Sequence, residues 1–151
     1  MEHTNEMELI FDSRSSNESF ARGTVAAFMT SLNPTVEEVS DVKTAVSEAV
    51  TNAIIHGYEG EVHSIFIHGR TQGSTLFLTI RDEGVGMENV QQAMEPLYTT
   101  KPELDRSGMG FSFMEAFMDK LEVESEPGKG TTVKMEKTIG KGRRLWTTQS
   151  L

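Results

Sequence analysis

A chain of 151 residues with 36% hydrophobic and 25% charged content is long enough for one domain with a sizeable core and too ordinary in composition for wholesale disorder. Its formal net charge of −9 argues against general nucleic-acid binding, which depends on Lys and Arg neutralising phosphates, and suits a protein partner with a basic surface. The lack of cysteine excludes disulfides and thiolate metal sites, no basic-then-apolar leader is visible, and no window approaches a membrane span, so a soluble cytoplasmic protein is expected.

Residues 7–12, MELIFD, read as a first strand. Ser15, Ser16 or Asn17 then offers a cap, and Phe20, Val25, Ala27, Phe28 and Leu32 recur at helical spacing until Asn33–Pro34, where proline disfavours helical geometry in the residue before it. Thr35 to Ile55 is the strongest helical pattern. Thr35 and Glu38 have capping-box spacing, and Val39, Val42, Val46, Ala49, Val50 and Ala53 form one apolar seam. At about 100° per residue, Glu48 and Asn52 fall one turn apart and roughly opposite that seam, and Gly57 ends the helix.

Residues 62–70 and 75–82 read as strands joined by TQGS as a hairpin turn. In the second strand Leu76, Leu78, Ile80 and then Asp82 share a face, so an acid emerges at the end of a buried row, where a charge is seldom left unpaired. The stretch 87–107 is a long connection with glycines one residue apart at both ends, Gly84 and Gly86 before it and Gly108 and Gly110 after it. Such length suggests a lid or binding loop, and such glycines suggest hinges or close approach of the backbone to a ligand. Residues 111–120 carry Phe113, Met114, Phe117 and Met118 at helical spacing, and 121–126 and 131–139 read as strands joined by a tight turn, EPGKG. The expected architecture is α+β, a two-layer sandwich of a mixed, mainly antiparallel sheet covered on one face by helices. Residues 1–139 form one domain in this reading, and 140–151 are a tail with a local basic cluster.

Three elements suggest a nucleotide site. Asp82 followed by Gly84 and Gly86 offers a carboxylate to the exocyclic amine of adenine, where guanine presents a carbonyl, with glycines letting base and ribose lie against the main chain. An ordinary turn is the other reading of that pattern alone. Asn52 offers an amide oxygen to Mg²⁺, which keeps several waters on phosphates and takes few protein ligands, and Glu48 is placed to take a proton from an attacking hydroxyl or water. A solvated helix face is the alternative for these two. Thr99, Thr100, Lys101 and Arg106 can neutralise a triphosphate ahead of a helix that begins at Gly108–Gly110, and helix N-termini bind phosphates. Neither GxGxxG nor GxxxxGK[ST] occurs, so Rossmann and P-loop sites are unsupported.

The run SEAVTNAIIHGY resembles the N box of the GHKL ATPase/kinase superfamily, DEGVG its first glycine box, GMGF its second and GKGT its last, in the family's order over residues 47–131. Within the superfamily, SFARGTVAAF and PLYTTKPELDRSGMGFSFMEAFMD resemble the anti-sigma factor serine kinases of spore-forming bacilli, over nearly all of residues 7–139. This resemblance implies a Bergerat-type ATP-binding fold, Mg²⁺-ATP and a homodimer whose face is the first strand and helix. It also implies a sigma factor of the sporulation sigma-F type, held inactive, and an anti-anti-sigma protein phosphorylated on serine. Carried over by motif, Glu48 is the general base and Asn52 the Mg²⁺ ligand. Asp82 reads adenine beside Gly84 and Gly86, while Thr100, Lys101, Arg106, Gly108 and Gly110 surround the phosphates. Thr131 supports the adenine side, and Arg22 matches a partner-binding position. An ATP-dependent sigma-binding module without phosphotransfer is the alternative, against which Glu48 counts, because a pure binder needs no base. An ATP-hydrolysing domain of a larger machine is a third, against which the lack of a transducer domain counts. The histidines, at the terminus, the N-box helix end and in strands, do not suggest self-phosphorylation, and the methionines are expected to be packing residues.

Overall fold

The computed structural model describes residues 4–95 and 110–140. Five strands, β1 (Thr4–Asp12), β2 (Ser64–Gln72), β3 (Thr75–Asp82), β4 (Lys120–Glu126) and β5 (Gly130–Thr138), form one sheet in the order β1-β2-β3-β5-β4. All four pairings are antiparallel, so the sheet is not mixed among the described residues. Four helices complete the described fold: α1 (Asn17–Phe28), α2 (Val36–Asn52), the short α3 (Val90–Ala93) and α4 (Gly110–Phe117).

Strand alternation sorts each side chain to a face. Met7, Leu9 and Phe11 of β1, Ile65 and Ile67 of β2, Leu76, Leu78 and Ile80 of β3, and Val133 and Met135 of β5 point to the helical layer and join the core. The opposite face is polar and aromatic, with the Arg81 guanidinium 4.0 Å from the Phe66 ring centre and that of Arg70 4.1 Å from Phe77. Helix α2 is packed between α1 and α4.

The helix seams differ in detail from the expected ones. On α1 the buried residues are Ala21, Val25 and, in the following 3₁₀ turn, Met29, while Phe20 is exposed. Ser16 stands at the N-cap position without a side-chain bond, and Asn17 instead donates from Nδ2 to the Asp12 carbonyl at 2.9 Å. The 3₁₀ turn stops at Asn33, which takes a left-handed φ of 52° before Pro34. On α2 the capping box forms as expected: the Glu38 amide donates to Thr35 Oγ1 at 3.1 Å and the Thr35 amide to Glu38 Oε1 at 2.8 Å. The other Glu38 oxygen accepts from the Gly140 amide at 2.8 Å, so the start of the catalytic-helix candidate is tied to the end of β5. Gly140, the first residue of the expected tail, is buried. Ala45 joins the α2 seam, and Val39 is only half-buried. Beyond Asn52 the helix widens into a π turn, Ala53–Gly57, instead of running on as α-helix.

On α4 the core side is Phe111 and Met114, continued by Met118, while Phe113 and Phe117 stack on each other with ring centres 6.0 Å apart. Met29, Met114, Met118 and Met135 are packing residues, as expected. Lys137 fixes the far end of α4, donating to the Phe117 carbonyl at 2.6 Å and pairing with Asp41 of α2 at 3.8 Å. The β2–β3 hairpin is tighter than TQGS suggested, since β2 runs to Gln72 and only Gly73–Ser74 turn, with Gly73 at φ 59°.

Candidate functional site

Asp82 ends β3 on the helical side of the sheet, in the row of Leu76, Leu78 and Ile80, and is 5% exposed. Its Oδ1 accepts from the Gly84 amide at 2.9 Å. Burial pushes its pKa above the ordinary 3.8, and the backbone amides of Gly84 and Thr131 and the nearby Arg81 charge pull it back toward the ionised form. A carboxylate presented in this way, with its base fixed by main-chain donors, is an acceptor for an amine.

The space around it depends on missing side chains. A Cβ on Gly57 would lie 2.8 Å from the Asp82 carboxyl carbon, so any larger residue there would displace the carboxylate. A Cβ on Gly84 would lie 2.0 Å from the Gly57 carbonyl oxygen, which accepts the Val85 amide at 2.9 Å. On Gly130, at φ 98°, it would lie 2.1 Å from the Asp82 carbonyl oxygen, and on Gly86, at φ 73°, 2.1 Å from that of Glu126. The π turn, the β3 exit and the β4–β5 turn therefore meet backbone to backbone around one acid. Gly128 completes the clasp by donating its amide to the Val85 carbonyl at 2.7 Å.

Thr131 sits opposite Asp82 in the β3–β5 register, and its hydroxyl lies 2.8 Å from that of Ser125. Glu48 and Asn52 lie on α2, both half-buried. Asn52 turns toward α4, where a Cβ on Gly110 would come within 3.1 Å of its amide nitrogen and 3.2 Å of its amide oxygen. Gly110 thus leaves the amide room at the N-terminus of α4. An amide offers an oxygen to a hard cation that draws its other ligands from phosphates and water, and the helix start beside it favours those phosphates. Among the described residues no group of three or more His, Cys, Asp or Glu forms a metal site.

Arg22 on α1 holds Glu18 at 2.9 and 3.1 Å and reaches Ser47 Oγ at 3.4 Å, one residue before Glu48. It lines a groove between α1 and α2 with Val36, Val39 and Lys43. Thr100, Lys101, Arg106 and Gly108 lie outside the described residues, as does the 96–107 part of the expected lid.

Two residues of the site went unmarked in the sequence reading. The Tyr58 hydroxyl accepts the Glu83 amide at 2.8 Å and donates to the Ser64 carbonyl, tying the π turn to the β3 exit. Ser125 accepts the Met87 amide at 2.8 Å. A tyrosine directly after an N-box glycine and a lone serine on an outward strand carry no spacing signal; their partners are far away in sequence.

The chain matches the model of the histidine kinase-like ATPase domain over residues 11–137. It is 58% identical over 140 residues to a protein of a Thermoanaerobacter species called anti-sigma F factor, covering 93% of this chain and 98% of that one. To the anti-sigma F factor of Geobacillus thermodenitrificans it is 58% identical over 142 residues, covering 93% and 97%. Among solved structures, the RsbU and RsbW domains of a Mycobacterium tuberculosis protein superpose with a TM-score of 0.64 at 16% identity, over 89% of this chain and 32% of that one. That likeness is one of fold. Among the described residues no helix is long and apolar enough to cross a membrane.

Proposed function

The chain belongs to the histidine kinase-like ATPase domain family, with anti-sigma F factors among its near relatives, and on that premise we propose that it is an anti-sigma factor and an ATP-dependent protein serine kinase. It holds a sporulation sigma factor of the F type inactive, and it phosphorylates a serine of an anti-anti-sigma factor, which that modification inactivates. It works in the cytoplasm as a homodimer joined through β1 and α1.

The observation that carries this reading is the placing of Glu48 and Asn52 one turn apart on α2, with Asn52 against Gly110 and the acid-and-glycine pocket of Asp82 at the far end of the same helix and π turn. Asp82 and Thr131 take the adenine, and Gly84 and Gly86 let its base and ribose lie close. Asn52 holds Mg²⁺, which neutralises phosphate charge when bound, and Thr100, Lys101, Arg106, Gly108 and Gly110 take the phosphates. The serine hydroxyl oxygen attacks the γ-phosphorus of ATP, the bond from that phosphorus to the bridging oxygen breaks, ADP leaves, and the hydroxyl proton passes to Glu48. Arg106 stabilises the charge that develops at the γ-phosphate. Arg22, beside Ser47 and so next to the base, meets the partner protein.

Glu48→Gln keeps the size and polarity of the side chain and removes its basicity. Labelled ATP and a serine-bearing anti-anti-sigma partner should show transfer slowed by roughly 10²–10⁴-fold, the usual contribution of a general base, with ATP binding retained. Phosphorylation by the variant at the normal rate would sink the assignment of Glu48 as the base, whereas no transfer by the unaltered protein would leave a nucleotide-dependent binding module.

A further inference from the structure

Ser125 faces Thr131 across the β4–β5 ladder, in the register that continues from Asp82. Its Oγ lies 3.0 Å from the Gly130 carbonyl oxygen, 2.8 Å from the Met87 backbone nitrogen and 2.8 Å from Thr131 Oγ1. These three contacts fix where the protons go. A hydroxyl has one proton and two lone pairs. A carbonyl only accepts, so Ser125 donates to Gly130. An amide N–H only donates, so Ser125 accepts from Met87. The remaining lone pair faces Thr131, which therefore donates to Ser125. Thr131 has no second proton, and its hydroxyl turns only lone pairs to anything else that approaches.

We propose that Ser125 is a positioning residue that holds the Thr131 hydroxyl as a hydrogen-bond acceptor and so sets the pocket's preference for a purine with an exocyclic amine. The inference rests on the reading of Asp82 and Thr131 as the base-contacting pair. With Ser125 in place, the hydroxyl and the carboxylate both accept. A donor amine satisfies them, whereas a carbonyl at the same ring position sets acceptor against acceptor and leaves buried polar groups unpaired. Without Ser125, the Thr131 hydroxyl is free to rotate and donate to such a carbonyl. The same serine oxygen also anchors Met87, the residue after Gly86, so one atom joins the base side to the segment that leads toward α3.

ADP and IDP, which carry an amine and a carbonyl at that position, separate the possibilities by calorimetric titration of the full chain. The wild type should prefer ADP. Ser125→Ala should lower the ADP-over-IDP affinity ratio roughly three- to tenfold, the size of one hydrogen bond. Ser125→Thr, which keeps the hydroxyl, should preserve the ratio, and Ser125→Ala should change nothing further in a Thr131→Val background. Should the alanine variant fail to fold, Ser125→Cys keeps the volume with weaker bonding and should show the fall. A folded Ser125→Ala protein with the wild-type ratio overturns the role given to Ser125, as does equal weakening of both nucleotides or a full further fall on top of Thr131→Val. A wild type that binds ADP and IDP alike overturns the adenine reading itself.

Discussion

Around Asp82, Gly57 stands against the carboxylate itself but Gly84, Gly86 and Gly130 stand against main chain, whereas at the other end of the site Gly110 stands against the side chain of Asn52. Cβ atoms on Gly84, Gly86 and Gly130 would each fall 2.0–2.1 Å from a backbone carbonyl oxygen. One on Gly110 would fall 3.1–3.2 Å from the amide of Asn52, which has rotamers to give. The Asp82 and Glu126 carbonyls belong to paired strands and the Gly57 carbonyl accepts the Val85 amide, so none can retreat without straining backbone hydrogen bonds, and around Asp82 the fold itself demands glycine. On the proposed phosphate side the neighbour is a side chain, and in the proposed reading the Asn52 amide needs a clear approach more than the chain needs the space. The surroundings of Asp82 are thus a rigid frame and the Asn52 side an adjustable one, and substitutions should separate them.

The largest effect should come from Gly84→Ala. Its methyl has nowhere to go but into the Gly57 carbonyl, so the β3 exit and the π turn must part. A loss of about 3 kcal/mol or more in urea unfolding is expected, at the upper end of overpacking costs, together with loss of nucleotide binding. Stability within about 0.5 kcal/mol of wild type, the range of an ordinary surface change, would show that the frame is not rigid.

Asp82→Asn should leave the frame standing and remove the charge. ADP affinity should fall by about 10- to 100-fold, the worth of a hydrogen bond to a charged group. The pH dependence of stability has a sign of its own. Because burial raises the folded pKa above 3.8, the native protein holds a proton that the unfolded chain releases between those two values. Wild-type stability contributed by this group is present below pH 3.8, declines as pH rises through the folded value, and is level above it. Asparagine has no such window, so the variant-minus-wild-type stability difference should shift in the variant's favour across it. A difference that is flat with pH in chemical unfolding would remove burial as the dominant influence on Asp82.

Gly110→Ala should be the mildest for the fold. Gly110 has no positive φ, so alanine there restricts the unfolded chain by about 0.4–1 kcal/mol, which offsets the displacement of Asn52, and the melting temperature should move by only a few degrees. Mg²⁺-dependent binding of ATP should nonetheless weaken, while binding without the cation should not. Equal weakening in both conditions would place Gly110 with the rigid group.

The relation of sequence to site follows the same division. Glu48, Asn52 and Asp82 could be singled out as candidates because helix and strand periods set which side chains share a face, and the α2 capping box, the β3 row and the EPGKG turn all form where the pattern puts them. The period says less about which face meets what. Asn52 was expected to point away from the sheet, and the structure adds that its amide lies beside Gly110 of α4, a neighbour that no local repeat can name. Phe20 and Phe113 were counted in seams by hydrophobicity, yet Ala21 and Phe111 are the buried residues, because which of several apolar positions is covered depends on the neighbouring elements and not on the helical repeat.

By itself, then, the sequence determined the elements, their α+β arrangement and the residue types able to do the chemistry, since each of these rests on interactions between near neighbours along the chain or on motifs read in order. Only the tertiary structure decided that Gly57 makes room for the Asp82 carboxylate, that Tyr58 ties the π turn to the β3 exit, and that Ser125 bonds to both Thr131 and Met87. Those contacts join β3, the π turn and the β4–β5 turn. They depend on strand order β2-β3-β5-β4 bringing distant loops to one end of the sheet, and no periodicity along the chain encodes that order.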